Sequence, residues 1–328
     1  MLDSLAGLRS EHASLQEQLS DSAVHQNPAL AKKINRRYAA LSAIMLADEL
    51  ARRLPESALP VQLEEVGSLG MDSWLTCLAY GARRALVLTG PETPRSIVDV
   101  IAREIDTAAA ILEGMGYPGR ALEVRDASDA ETIAAAALSE EVVMLERPAR
   151  YAPPPEKRLL FQTAINHLLE QAPSRRKVVP LPPGAPFGQV RVDKGACTLC
   201  MSCVAVCPTS ALRAGQGLPQ LNFVESSCIQ CGMCDKACPE DAVSLEPRFL
   251  YDTGERSAWR RLHEEQPMCC ISCGKPFATR SMLKVMKQKL EDHWMFQTDT
   301  ERRRLEMCDT CRVKDLMVAQ RGGGPGQN

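Results

Sequence analysis

Leu5, Leu8, His12, Leu15 and Leu19 recur at alternating spacings of three and four, which makes one seam of an amphipathic helix. Asn27-Pro28 breaks the pattern, and Pro28 suits the first turn of a following helix. Leu30, Ile34, Leu41 and Met45 then continue an apolar face, so residues 1–52 are predicted to form a helical hairpin. His12 sits in the seam and reads as a packed residue, since a metal ligand would need clustered partners.

The pattern changes over residues 58–146. Val61–Val66, Arg84–Thr89 and Arg120–Val124 read as short strands, the second as a buried parallel one. Between them Met71–Gly81 reads helical, Ile97, Ile101, Ile105, Ala108 and Leu112 share one helical face, and Asp129–Leu138 is a further helix. Alternating strands and helices predict a small three-layer α/β domain with a parallel sheet. It has no Gly-x-Gly-x-x-Gly and no phosphate-binding lysine loop, so it reads as a docking scaffold. Cys77 reads as a core residue of its helix.

Residues 147–187 read as a proline-rich linker carrying one helix, Lys157–Gln171, with Leu160, Ile165, Leu168 and Leu169 apolar and His167 beside them. Over 188–248, Gln189–Val192, Pro219–Phe223 and Ala242–Leu245 read as short strands. Residues 249–320 are predicted largely helical, with Ser281–Trp294 as one helix, and 321–328 as a disordered tail. The fold class expected is therefore multidomain α+β.

The cysteines change this picture most. Cys197, Cys200, Cys203 and Cys207-Pro208 follow C-x2-C-x2-C-x3-C-P, and Cys228, Cys231, Cys234 and Cys238-Pro239 repeat it 31 residues on. Soft thiolates in this run suit a [4Fe-4S] cluster. Three closely spaced cysteines wrap one cluster and the fourth reaches the other. Cys197, Cys200, Cys203 and Cys238 are thus assigned to one cluster, and Cys228, Cys231, Cys234 and Cys207 to a second. Zinc sites take cysteine pairs rather than triplets closed by Cys-Pro. Leu199, Met201, Val204, Ile229 and Met233 are expected to wall the clusters from water. The echo continues past the ligands, in Cys207-Pro-Thr-Ser-Ala-Leu212 and Cys238-Pro-Glu-Asp-Ala-Val243.

These motifs resemble the dicluster ferredoxin family. The resemblance implies a pseudo-twofold domain of hairpins and short helices over about 186–248, and low-potential electron transfer.

Cys270-Ile-Ser-Cys273 and Cys308-Asp-Thr-Cys311 form a second kind of motif, two C-x2-C knuckles. Four thiolates closing on one tetrahedral ion point to structural Zn2+, with a third iron–sulfur cluster or a single iron as alternatives. Cys269 is a spare thiol, and His293 an alternative ligand beside Trp294. His263 reads as a surface residue. Lys284, Lys287, Lys289 and Arg302–Arg304 read as a solvated face, or as a docking patch for an acidic redox partner.

Fourteen cysteines grouped in ligand motifs favour a reducing compartment over a disulfide scaffold. The N-terminus has an early acid and no basic or apolar leader region, and no apolar run is long enough to span a membrane. A cytoplasmic protein is expected. A net charge of -2 and 4% aromatic residues argue against nucleic-acid binding.

Two further resemblances concern the flanks. Leu8–Leu15 and Asn27–Leu41 look like the opening helices of bacterial class I peptide chain release factors, without the Gly-Gly-Gln motif of hydrolysis. Gly70-Met-Asp-Ser-Trp74, Gly81–Leu88 and Leu112–Tyr117 are similar to the delta-subunit domain of hydrogenases that partner heterodisulfide reductases. From about residue 58 the chain resembles iron–sulfur proteins of formate dehydrogenase or heterodisulfide reductase-like systems. This implies an electron relay, not an enzyme by itself, serving a larger oxidoreductase of that kind. The alternative is a structural or regulatory assembly protein, and a translation factor is the third reading.

Overall fold

The computed structural model describes residues 2–21, 24, 26–61, 63–90, 93–127, 130–140 and 142–322. The chain divides into two units, Met1–Arg176 and Lys177–Asn328.

The first unit opens with helices α1 (Leu2–Ser20) and α2 (Pro28–Arg53), which pack on each other. Ile34 and Leu41 are buried, and Leu8, His12, Leu15 and Leu19 are half-buried along the seam; the side chain of Leu5 lies outside the described set. Leu30, expected on the apolar face, is exposed in the first turn of α2. His12 stacks on Tyr38 with ring centroids 4.4 Å apart, and its Nε2 lies 2.8 Å from Ser42 Oγ. It is a packed residue.

An α/β layer follows. Helix α3 (Met71–Ala79) buries Met71, Trp74, Leu75, Leu78 and Ala79. Strands β1 (Ala85–Thr89) and β2 (Leu122–Asp126) pair in parallel from Ala85–Leu122 to Thr89–Asp126. The crossover is α4 (Arg95–Gly114), which buries Ile101, Ile105, Ala108, Ile111 and Leu112. Helix α5 (Ala130–Ala137) comes next; the expected start at Asp129 lies outside the described residues. Among the described residues this sheet has two strands, not three. The expected strand Val61–Val66 gives way to a 3-10 turn over Val66–Ser68, and Gln62 lies outside the described residues. Val61 is exposed, and among the described residues this run pairs with no strand.

The segment expected as a linker is largely part of this unit. Helix α6 (Lys157–Glu170) buries Phe161, Ala164, Ile165 and Leu168 and packs on α3. The Tyr117 hydroxyl donates to the Leu168 carbonyl at 2.9 Å. Ala149 N–H donates to Ala79 O at 2.8 Å, and Arg176 N–H to Gly114 O at 3.1 Å. The apolar face of α6 completes the core begun by α3 and α4, which is why 147–176 does not extend as a spacer.

The second unit is built on two small antiparallel sheets. One contains β3 (Val178–Pro180), β4 (Gly188–Val192) and β7 (Val243–Leu250), in the order β3-β7-β4. The other contains β5 (Leu212–Ala214), β6 (Gln220–Phe223) and β8 (Arg260–Glu264), in the order β5-β6-β8. Short helices α7 (Ser202–Ala205) and α8 (Met233–Lys236) follow the cysteine triplets, and α9 (Thr253–Ser257) joins β7 to β8. The sheets thus recruit β3 and β8 from beyond the expected limits of 188–248. His263, expected at the surface, is buried on β8 because that strand is laid against β6.

The chain ends in a hairpin, β9 (Pro267–Cys269) with β10 (Pro276–Thr279), and helices α10 (Arg280–Lys289), α11 (Asp299–Arg304) and α12 (Asp309–Gly322). Helix α10 stops at Lys289 rather than Trp294, which lies in a separate 3-10 turn. The tail expected from 321 begins as helix to Gly322, and 323–328 lie outside the described residues. Among the described residues, no helix is long and apolar enough to cross a membrane.

Candidate metal centres

The repeat in the sequence is a repeat in the backbone. Helices α7 and α8 are related by the same 31 residues as the cysteines. So are three left-handed positions: Leu199 and Gln230 (φ 55° and 52°), Met201 and Gly232 (φ 62° and 78°), Ser210 and Asp241 (φ 52° and 46°). Matching hydrogen bonds join the halves: Asp193 N–H to Ala242 O at 2.8 Å, and Val224 N–H to Ala211 O at 2.9 Å. Left-handed turns inside each triplet aim successive N–H groups inward, a backbone nest suited to an anionic centre.

Cys197, Cys203, Cys228 and Cys234 are buried in one core with Val190, Leu212, Leu221, Phe223 and Val243. Cys207 and Cys238 are half-buried, and Cys200 and Cys231 are exposed. Burial pushes the Cys197 and Cys228 thiols up, Cys203 to about 12 and Cys234 to about 11. Burial also acts to raise Cys200, but hydrogen bonds from Ser202 and Thr198 outweigh it and draw that thiol down.

The thiols lie close enough to act on one another, and Cys203, already raised by burial, is raised further by Cys197, Cys234, Cys200 and Cys238. After burial and backbone hydrogen bonding, Cys197 is raised by Cys238 and Cys200, while Cys228 is raised by Cys207 and Cys231. Cys238 thus lies near Cys197, and Cys207 near Cys228. Sulfurs gathered around an apolar core suit a cationic iron cluster, whose charge would hold them as thiolates, and sulfur is the donor such a cluster takes. The residues present fit two such groups.

Side chains add donors to the sulfurs. Gln230 Nε2 donates to Cys228 Sγ at 3.4 Å and to Gln189 O at 3.2 Å. Ser202 Oγ lies 3.4 Å from Cys200 Sγ, and Ala242 N–H donates to Cys238 Sγ at 3.3 Å. Of the expected apolar wall, Leu199 is buried and Met201 and Val204 pack on the core, but Ile229 and Met233 are exposed. The counterpart of Ile229, Thr198, is covered by Thr279, whose hydroxyl donates to Thr198 O at 2.9 Å. The covering segment lies over the first triplet, which leaves these two side chains of the second in solvent.

The knuckles come together as well. The Sγ atoms of Cys270, Cys273, Cys308 and Cys311 all lie within 4.8 Å of one another, with Cys273 and Cys308 3.8 Å apart. Gly274, at φ 71°, turns the first knuckle, and its N–H donates to Cys270 O at 2.9 Å. Cys308 sits at the entry to α12. Burial acts to raise the Cys270 thiol, but backbone N–H groups of Cys308, Cys273 and Ser272 draw it down to about 6. Cys269 is exposed and is not one of the four. His293 caps the Trp294 turn by accepting from Met295 N–H at 3.2 Å and is likewise outside the quartet.

The remaining candidates are not brought to a site. Cys77 lies on the outward side of α3, because Met71, Trp74, Leu75 and Leu78 take the buried face; nearby atoms still raise its thiol by partial burial. His167 lies 2.9 Å from the Arg147 carbonyl. The basic face near the knuckles is partly neutralised: Lys287 pairs with Glu306, Lys289 with Glu240 at 3.1 Å, and Arg304 with Asp315 at 2.7 Å. Sequence reasoning missed Gln230 and Glu225, whose roles depend on strand neighbours far away in the chain.

Comparison with known proteins supports an iron–sulfur domain. Residues 196–243 match the 4Fe-4S dicluster domain family. The chain is similar to an uncharacterized ferredoxin of Methanocaldococcus jannaschii, 34% identical over 83 residues, which are 24% of this chain and 43% of that protein. It is similar to Ferredoxin-1 of Caulobacter vibrioides, 42% identical over 50 residues, 15% of this chain and 42% of the other. A separate stretch is 55% identical over 47 residues to peptide chain release factor 1 of Leifsonia xyli subsp. xyli, 14% of this chain and 13% of that factor. The chain thus spans about an eighth of this release factor and under half of either ferredoxin. The chain carries a ferredoxin-type iron–sulfur domain, the equipment of electron transfer.

Proposed function

We propose that the chain relays single electrons through two [4Fe-4S] clusters, as a subunit or shuttle of a larger oxidoreductase. The observation that carries this reading is the crosswise grouping of thiols, with Cys238 acting on Cys197 and Cys207 on Cys228. Cys197, Cys200, Cys203 and Cys238 would hold one cluster, and Cys228, Cys231, Cys234 and Cys207 the other. When bound, each cluster supplies a one-electron couple. The protein's part is to shape that couple. Backbone N–H groups of Leu199 and Gln230 donate to Cys197 and Cys228, and Val190, Leu221 and Phe223 keep water from the buried sulfurs.

The knuckle quartet is assigned to structural Zn2+. Four sulfurs about 2.3 Å from one ion stand about 3.8 Å apart in a tetrahedron, and that is the Cys273–Cys308 separation of 3.8 Å. A cubane puts a separate iron behind each thiolate, so its ligands stand farther apart.

The partners proposed are redox proteins of the formate dehydrogenase or heterodisulfide reductase type, in the cytoplasm. The release-factor likeness contributes a fold to this reading and no hydrolytic activity.

Anaerobic metal analysis with EPR of the reduced protein tests the reading. About eight irons and two one-electron signals are expected. About four irons would overturn it, and clusters that cannot be reduced would favour a structural assembly role.

A further inference from the structure

The two cluster sites share a backbone but not a charge environment. At the second, Cys228 N–H donates to Glu225 O at 3.1 Å. The Glu225 side chain is buried, accepts from Arg248 at 3.1 and 2.7 Å, and lies 3.1 Å from Arg260 Nη2. Arg191 is paired with Glu246 close by. Three guanidiniums face two carboxylates, which leaves this side of the site positive.

A hydrogen-bonded route joins the network to the sulfur. Arg260 donates to Gln189 Oε1 at 3.0 Å, the Gln189 carbonyl accepts from Gln230 Nε2, and that amide also donates to Cys228 Sγ. Gln230 Oε1 is buried with no hydrogen-bond partner among the described residues. Reversing the amide would set this oxygen against both a carbonyl and a sulfur, so the donor orientation is enforced. The counterparts in the first half, Lys194 and Leu199, can do neither job: Lys194 is exposed and Leu199 is apolar.

The first site has the opposite sign beside it. Glu265 accepts from Ser281 N–H at 3.2 Å; the Ser281 hydroxyl is 3.2 Å from Thr279 Oγ1, which donates to Thr198 O, next to Cys197. The carboxylate is four-fifths buried, its nearest basic group is His263 at 3.7 Å, and it acts to raise Cys197. Side-chain donors do not reverse the contrast. Ser202 and Thr198 serve Cys200, while Gln230 serves Cys228 and Thr209 Oγ1 lies 3.9 Å from Cys207 Sγ, so each site has two. Charge then decides.

We propose, resting on the two-cluster reading, that Glu265 makes the Cys197 site the weaker electron acceptor and the Arg248–Glu225–Arg260 network makes the Cys228 site the stronger. Adding an electron adds a negative charge in a low-dielectric core, which a carboxylate opposes and a guanidinium favours. An electron from a low-potential one-electron donor therefore ends on the second site. One site loses it, the other gains it, and no bond or proton changes.

The test is an EPR-monitored redox titration of the full chain and of two variants. Two one-electron steps at least tenfold apart in equilibrium constant are expected, about 59 mV. Glu265→Gln should raise the lower step about tenfold, and Arg260→Met should lower the upper step about tenfold, so that each narrows the gap. If Arg260→Met loses iron, Glu265→Gln decides alone. About eight irons with coincident steps, or with a gap that Glu265→Gln leaves unchanged or widens, would overturn the inference and leave the relay standing. About four irons would overturn both.

Discussion

Met201 and Gly232 hold the same left-handed backbone 31 residues apart, at φ 62° and 78°. Each precedes the short helix that carries the third cysteine of its triplet. The turn has to reverse the chain within two residues, and the duplicated geometry imposes it on a methionine in one half. An added Cβ at Gly232 would meet only Leu245 Cδ1 at 3.9 Å, so the space is open and backbone strain alone would count.

Gly232→Ala is expected to cost about 1–2 kcal/mol from φ alone. The rate at which denaturant bleaches the cluster absorbance should rise roughly five- to thirtyfold. An unchanged rate would mean that this turn relaxes freely.

Crosswise ligation has a signature in single substitutions. Cys207→Ser is expected to damage the site of the second triplet, and Cys238→Ser that of the first. In the redox titration each variant should lose or shift one step, and the two variants should affect different steps. Loss of the same step in both would refute the crossed assignment.

Tyr117 gives the first unit an alkaline limit. Burial pushes its phenol up to about 12, and its hydroxyl donates to Leu168 O. Between an ordinary tyrosine value of about 10 and that value, the folded state keeps a proton that the unfolded chain releases. Stability is therefore intact below about pH 10 and falls as pH rises toward about 12. Tyr117→Phe should remove this limb and cost about 1 kcal/mol through the unpaired Leu168 carbonyl. Thermal melts across alkaline pH would show it; an identical pH profile in the variant would argue against a role for Tyr117.

The knuckle quartet is expected to bind one metal ion independently of iron. Cys308→Ser should abolish stoichiometric zinc while leaving about eight irons in place. Loss of α12 helicity by circular dichroism should accompany it, since Cys308 lies at the entry to that helix. Retention of a full equivalent of zinc would count against the quartet as its site.

The 4Fe-4S dicluster domain was readable in the sequence because cluster chemistry fixes cysteine spacing locally. The hairpin of α1 and α2 was readable because its seam repeats at helical spacing. The strand β8 was hidden, because Arg260-Arg-Leu-His-Glu264 is mostly charged and only its docking on β6 buries His263. Val61–Val66 is the converse case: strand composition that ends in the 3-10 turn Val66–Ser68. Gln230 carries no signal of its own in the sequence, and its place between Gln189 and Cys228 shows only in the fold.

The added strands have a consequence for the working limits of the module. β3 lies along β7 and β8 along β6, each from outside the duplicated segment. A fragment cut at 188–248 would lose the backbone pairing of β3 along β7 and of β8 along β6, leaving two marginal two-stranded sheets. It would also lose Arg260 and strand the buried Glu225 with one cation fewer. The flanking strands thus belong to the folding unit, and the smallest piece that keeps both sheets and the Glu225 network whole runs from β3 to β8.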